Sequence, residues 1–185
     1  TSKKIKTSLN LSIFHLQDYI IGIPAENLIS MTIGASGVKI YDQLAYANLI
    51  HSTFQFDYRL NDSFSWNNQL QYSYGKDAEQ RNLPYISPMQ YQSQLVFKKD
   101  LFQTEMTVKG NATQTRFSAF YGENETPAYA ILNMSAGYQF KWNAQKILLN
   151  AGIENILDTY YSTFADWNNI PRMGRNVYAS LIYSF

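Results

Sequence analysis

The stretch FSWNNQLQYSY runs from Phe64 to Tyr74. Phe64, Trp66, Leu70, Tyr72 and Tyr74 fall on one parity, and Ser65, Asn67, Gln69, Gln71 and Ser73 on the other. Successive side chains of a β-strand point to opposite faces, so these residues form a strand with one aromatic, apolar face and one face of amides and hydroxyls. Its length matches the ~9–11 residues with which a tilted strand crosses hydrocarbon and exceeds the ~5–6 usual in soluble sheets.

The same alternation recurs in both directions along the chain. Toward the N-terminus it occupies Ile5–Leu16, with Leu9, Leu11 and Ile13 against Ser8, Asn10 and Ser12, and Ala45–Arg59, with Ile50, Phe54, Phe56 and Tyr58 against His51, Thr53, Gln55 and Asp57. Toward the C-terminus it occupies Gln90–Lys98, Phe102–Phe117, Ala130–Phe140, Ile147–Glu154 and Asn176–Phe185. The connections alternate strictly between long and short, the short ones being Leu60–Ser63, Lys99–Leu101 and Lys141–Lys146. All five prolines (Pro24, Pro84, Pro88, Pro127 and Pro171) are assigned to the long connections, as expected for a residue with no amide hydrogen to give a ladder. Long loops on one side and short turns on the other are the asymmetry of an outer-membrane barrel. With an even strand count, both termini are expected on the short-turn, periplasmic side.

Composition supports this reading. The chain has 185 residues, a net charge of +1, 16% charged residues and no cysteine, which removes a disulfide framework and a thiolate metal site and gives no basic excess for nucleic acid. Aromatics reach 16%, yet mean hydropathy is below zero and no apolar run approaches the ~18 residues of a membrane helix. A soluble β-sandwich and a transmembrane barrel both fit such numbers. The polar face favours the barrel: Asn67, Gln69, Gln71, Gln92, Gln94, Thr107, Asn111, Thr113, Asn133 and Asn150 are amides and hydroxyls, where a soluble sheet usually carries Lys and Glu. Phe64, Trp66, Tyr138 and Phe140 flank short turns, Trp142 falls within one, and Tyr72 and Tyr74 sit near the other rim, as in two interfacial girdles. Thr1 to Lys6 have no apolar run after the basic start. The expectation is a mature chain or a piece lacking its N-terminal part.

The end of the chain carries a resemblance. Gly152 to Phe185 reads GIENILDTYYSTFADWNNIPRMGRNVYASLIYSF, including Glu154-Asn155-Ile156-Leu157-Asp158, Tyr160-Tyr161, Ile170 to Asn176 and a last strand ending in Phe185. This resembles the C-terminus of TonB-dependent outer-membrane receptors. Asp18 to Gly22 looks like a strand end of these receptors, and Asn82 to Pro88 like the loop before one of their late strands. The resemblance implies an all-β, antiparallel up-and-down barrel, of which these eight strands are the C-terminal part. The whole would have 22 strands around an N-terminal plug. It implies TonB-energised uptake of a scarce nutrient such as an iron–siderophore, haem, cobalamin, a metal or a glycan. It also implies contact with lipid, with TonB through parts preceding this chain, and with the barrel-assembly machinery through Tyr183 and Phe185. The alternative is a self-contained eight-stranded barrel with a structural or adhesive role.

No catalytic set is expected. His15 and His51, with Asp18 or Asp42, offer at most a rim metal site, no serine has a supporting motif, and no glycine-rich phosphate loop is present. The chain reads as neither an enzyme nor the holder of a cofactor. Small-molecule contacts are expected from the long loops and upper lumen, the candidates being Tyr41, Tyr46, Tyr85, Tyr121, Tyr129, Trp167 and Arg172. Arg172 and Arg175 are expected to pair with Glu154, Asp158 or lipid phosphate.

Overall fold

The computed structural model describes residues 4–25, 27–31, 37–142, 145–166 and 169–184. Eight strands form one antiparallel meander in sequence order: β1 (Ile5–Pro24), β2 (Lys39–Arg59), β3 (Phe64–Asp77), β4 (Gln90–Lys99), β5 (Phe102–Asn111), β6 (Tyr129–Trp142), β7 (Gln145–Glu154) and β8 (Asn176–Ser184). The expected all-β up-and-down architecture is present. Among the described residues the sheet is open, because β1 pairs only with β2 and β8 only with β7. A barrel of eight strands closed on itself needs a β1–β8 ladder, and none is formed among the described residues.

Register makes the two faces explicit. Leu9, Phe54, Leu70 and Tyr91 lie side by side across four strands. Trp66, Leu95, Met106, Met134, Ile153 and Val177 do so across six. Ile13 is 70% exposed, Leu9 67% and Val177 70%, so this apolar face has no protein against it. On the opposite face run Ser8, Gln55, Gln69, Gln92 and Lys109, with Ser8 Oγ donating to Gln55 Oε1 at 3.1 Å. Asp57, Asn67, Gln94, Thr107 and Asn133 form a second polar row. A sheet whose apolar side faces out and whose amide side faces in fits hydrocarbon outside and a wet interior.

Several boundaries differ from the sequence reading; β3 runs on past Tyr74 to Asp77, and three other differences stand out. First, β1 and β2 continue well past Leu16 and Ala45, and Pro24 is the last residue of β1 instead of a loop residue. The Ala25 amide donates to the Val38 carbonyl, so Ala25–Val38 is a hydrogen-bonded pair and the adjacent Pro24–Lys39 pair turns its backbone groups away from the ladder. Pro24 therefore removes no ladder bond. Second, β5 ends at Asn111, and residues 112–117 belong to the following loop, because its partner β6 begins only at Tyr129. Third, β6 and β7 extend to Trp142 and Gln145, so Trp142 ends a strand instead of lying within the turn. The first and last strands begin and end on the short-turn side, as expected: Ile5 pairs with Tyr58 and Ser184 with Lys146.

The β1–β2 extension contains a change of phase. Leu16 pairs with Ala47 and Tyr19 with Leu44, and all four pack in or against the same buried cluster. Positions 16 and 19 differ in parity, so the facing inverts between them. The inversion falls at Asp18, which has a φ of 52° and no register partner in β2. Below it, odd residues of β1 face out; above it, Ile21 is 7% exposed while Ile20 is 67%. Asp18 to Gly22 thus lies in the last third of β1, stopping two residues short of its end at Pro24.

Candidate functional site: the loop cap over the polar wall

At the long-loop end, the connections fold over the polar face and lock to one another. Their centre is a small core of Ile21, Leu44, Ala47, Leu83 and Tyr121, with Ile86 packed against it. Leu83 and Ile86 come from the β3–β4 loop, and Tyr121 from a single 3-10 turn, Ala119–Tyr121, in the β5–β6 loop. Beside this core, Asp77 ends β3 fully buried and accepts three kinds of donor. Arg81 Nε donates at 2.6 Å, Tyr121 Oη at 2.8 Å, and the backbone amides of Glu79 and Arg81 at 2.9 and 2.8 Å. The Arg81 guanidinium also lies 3.9 Å from the Phe120 ring centroid and 2.7 Å from Glu79. A buried carboxylate is tolerable only with such saturation.

Tyr121 is therefore buried and committed to Asp77. Burial, then the adjoining carboxylate, pushes its phenol up to about 12. The same turn is tied down by Lys39, whose ammonium donates to the Tyr121 carbonyl at 2.7 Å. Loop-to-loop bonds complete the cap. Asn82 Nδ2 donates to the Phe117 carbonyl at 3.2 Å, Ser118 Oγ donates to the Asn82 carbonyl, and Gln114 Nε2 donates to the Ile86 carbonyl at 2.9 Å. Glu123 accepts from the amides of Tyr85 at 2.6 Å and Ser118 at 3.0 Å.

The other candidates are spread over the cap. Tyr85 is 68% exposed, has a φ of 60°, and holds the Lys39 ammonium 5.9 Å from its ring centroid. It borders a cleft of about 420 Å³ shared with Lys39, Gln114, Glu123, Phe164 and Asp166. Tyr129 stacks on Tyr161 at 4.5 Å, where β6 meets the β7–β8 loop. Tyr129 also borders a second cleft, of about 280 Å³, on the polar wall with Gln69, Gln71, Gln92 and Lys109. Tyr41 is 88% exposed on the β2 extension, and Tyr46 lies against the His15 ring at 5.2 Å on the outward face. Trp167 and Phe185 lie outside the described residues. Tyr183 is 47% exposed on the outward face and bonds Gln145.

Arg172 pairs with Asp166, not with Glu154 or Asp158: Nε reaches Oδ2 at 2.8 Å and the second nitrogen reaches Oδ1 at 2.7 Å. That pair, with two bonds from Thr163, holds the Asp166 carboxyl down at about 2. Arg175 is bound through its backbone amide to Asp158 at 2.7 Å and through Nε to the Ile156 carbonyl at 2.9 Å. Register separates the two histidines: Ser12 pairs with His51 and His15 with Asn48, which puts them on opposite faces. Among the described residues no group of three His, Asp or Glu is placed to hold a metal.

Lys39, Asp77, Arg81, Asn82, Leu83 and Glu123 build the cap and carry no periodic signal. The one local hint is the pair Asp77 and Arg81, four residues apart across a turn.

The eight-stranded meander is similar in fold to part of two larger proteins. Over 100% of its length the chain superposes on a copper transporter, OprC, with a TM-score of 0.84 at 18% identity. Over 98% of its length it superposes on the FrpB iron transporter from Neisseria meningitidis, with a TM-score of 0.69 at 13% identity. The chain spans 29% of the length of each. No protein-family model matches the sequence, and no curated protein sequence does.

Proposed function

We propose that this chain is the C-terminal part of the barrel of a TonB-energised outer-membrane importer, one that takes up a scarce nutrient such as an iron–siderophore, haem, cobalamin, a metal or a glycan. The observation that carries the reading is the open meander with an apolar outer face, an amide-lined inner face and folded loops on one end, congruent over its whole length with 29% of a copper transporter. Open sheet edges in hydrocarbon leave backbone groups unpaired, so further strands complete the wall. In this reading β1 continues into earlier strands, β8 joins the first one, and Tyr183 and Phe185 address the barrel-assembly machinery. Solute approaches through the loop cleft beside Tyr85 and Lys39 and meets the polar wall near Tyr129. Tyr41 and Arg172 shape the entrance, and Tyr121 supports it from within its buried core.

The test is energy-coupled uptake by cells expressing the full-length protein. Growth on a limiting nutrient is expected to depend on both the protein and an intact TonB complex. Growth indifferent to TonB, or a protein recovered in the aqueous fraction without detergent, refutes the proposal.

A further inference from the structure

The outward face of β1–β3 changes character at one level. Ile13, Ile50 and Tyr74 are register partners and form its last apolar row. The next outward row is His15, Asn48 and Lys76, with His15 Nδ1 2.7 Å from Asn48 Oδ1. Hydrocarbon in contact with the lower row ends where the upper row begins.

Arg116 is placed at this boundary. It belongs to the β5–β6 loop, most of which folds over the polar wall through Gln114, Ser118 and Tyr121. Arg116 itself turns to the other side of the sheet: Nη1 donates to Tyr72 Oη at 2.6 Å, and the guanidinium lies 5.1 and 5.4 Å from the ring centroids of Tyr72 and Tyr74. Both tyrosines are on the outward parity, and Lys76 follows them on the same face. Among the described residues neither Arg116 nor Lys76 forms an ion pair; the Lys76 ammonium gives one hydrogen bond, to the Gln80 carbonyl at 2.7 Å. One bond to a phenol leaves most of the five guanidinium donors available, and the tyrosine rings fix the plane of the fork.

We propose that Arg116, with Lys76, binds the phosphomonoester of an anionic lipid in the surrounding leaflet. The lipid's chains lie along Leu11, Ile13 and Ile50. Two cations without carboxylate partners, set at the edge of an apolar band, complement a phosphate attached to acyl chains better than a free anion, which gains nothing from the band. This rests on the outer-membrane reading above.

The experiment uses the full-length protein in neutral detergent, titrated with bisphosphorylated lipid A and with its dephosphorylated form, bound lipid being counted by native mass spectrometry. Wild type is expected to prefer the phosphorylated lipid, with affinity falling as salt rises. Arg116→Gln should weaken binding about ten-fold, Arg116→Gln with Lys76→Gln further, and Arg116→Lys less than either. Millimolar inorganic phosphate should not displace the lipid. Heat-modifiable migration on gels confirms that each variant is folded. The site is overturned if Arg116→Gln stays within about two-fold of wild type, if the dephosphorylated lipid binds equally, or if inorganic phosphate displaces the lipid. A bilayer-resident protein with unaffected variants sinks this site alone, whereas a protein soluble without detergent sinks the outer-membrane reading as well.

Discussion

Leu70 and Gln69 are adjacent and face opposite media if the outward face meets lipid. Leu70 lies between Phe54 and Tyr91 and is 39% exposed; Gln69 lies between Gln55 and Gln92. Within Phe64 to Tyr74, Leu70 is near the middle of the apolar band, two outward positions from Tyr74 and two from Trp66. An arginine on the lipid face of a barrel costs ~2–4 kcal/mol at the midplane and ~0–1 kcal/mol at the interface. Leu70→Arg should therefore lower the folding equilibrium constant roughly 30- to 1,000-fold. Gln69→Arg extends a row that already contains Lys109 and should cost about 0.5 kcal/mol or less. Tyr74→Arg, near the boundary, should fall between the two. The assay is guanidinium unfolding of the full-length protein in phosphatidylcholine bilayers, followed by tryptophan fluorescence and heat-modifiable migration. Equal costs for Leu70→Arg and Gln69→Arg, or a larger cost for the latter, would falsify the assignment of the apolar face to lipid.

Three further outcomes are expected. Tyr121→Phe removes a hydrogen bond to a buried carboxylate and should reduce the closing free energy of the cap by about 1.5–3 kcal/mol. Deuterium uptake should then rise at least ten-fold around residues 79–87 and 117–123, while strand amides stay protected; raising the pH acts in the same direction, since stability held below pH ~10 is lost as the pH approaches 12. Asp166→Asn releases Arg172 and should make the β7–β8 loop more sensitive to protease; in wild type the contribution of this pair is full above the ordinary carboxylate value of 3.8 and is lost as pH falls toward 2. Asp18→Gly should be close to neutral, because glycine accepts a φ of 52°, whereas Asp18→Val should destabilise the upper hairpin by about 1–2 kcal/mol, measured as local exchange between residues 19 and 25.

Much of the sheet was legible because its two faces differ so sharply: between Phe64 and Tyr74 nearly every outward position is apolar and every inward one polar. The turn Leu60–Ser63 was equally plain, closed by the Asn61 side chain accepting from the amides of Ser63 and Phe64. The upper part of β1 and β2 was not, since Ile20 and Ile21 are both apolar and only one is covered. Alternation also overran β5, carrying the sequence reading to Phe117 when Thr113 and Thr115 are already loop residues. The cap was illegible for a different reason. Its bonds join residues far apart in sequence, such as Asp77 with Tyr121 or Gln114 with Ile86, and a carboxylate destined for full burial looks like any turn aspartate until its partners arrive. The outward placement of Arg116 has the same origin, because it depends on where a loop crosses the sheet.

The phase change at Asp18 has a consequence for how depth is encoded. Alternate residues of β1 are apolar on both sides of it, Leu9, Leu11 and Ile13 below and Tyr19, Ile21 and Ile23 above. To a reader of hydropathy the strand is one continuous span. If the outward face meets lipid, a single left-handed backbone step makes the first trio solutes of an oil and the second the lining of a protein interior. On that reading the chain leaves one solvent and enters another without altering its alphabet, and the waterline is marked by a torsion angle, not by composition.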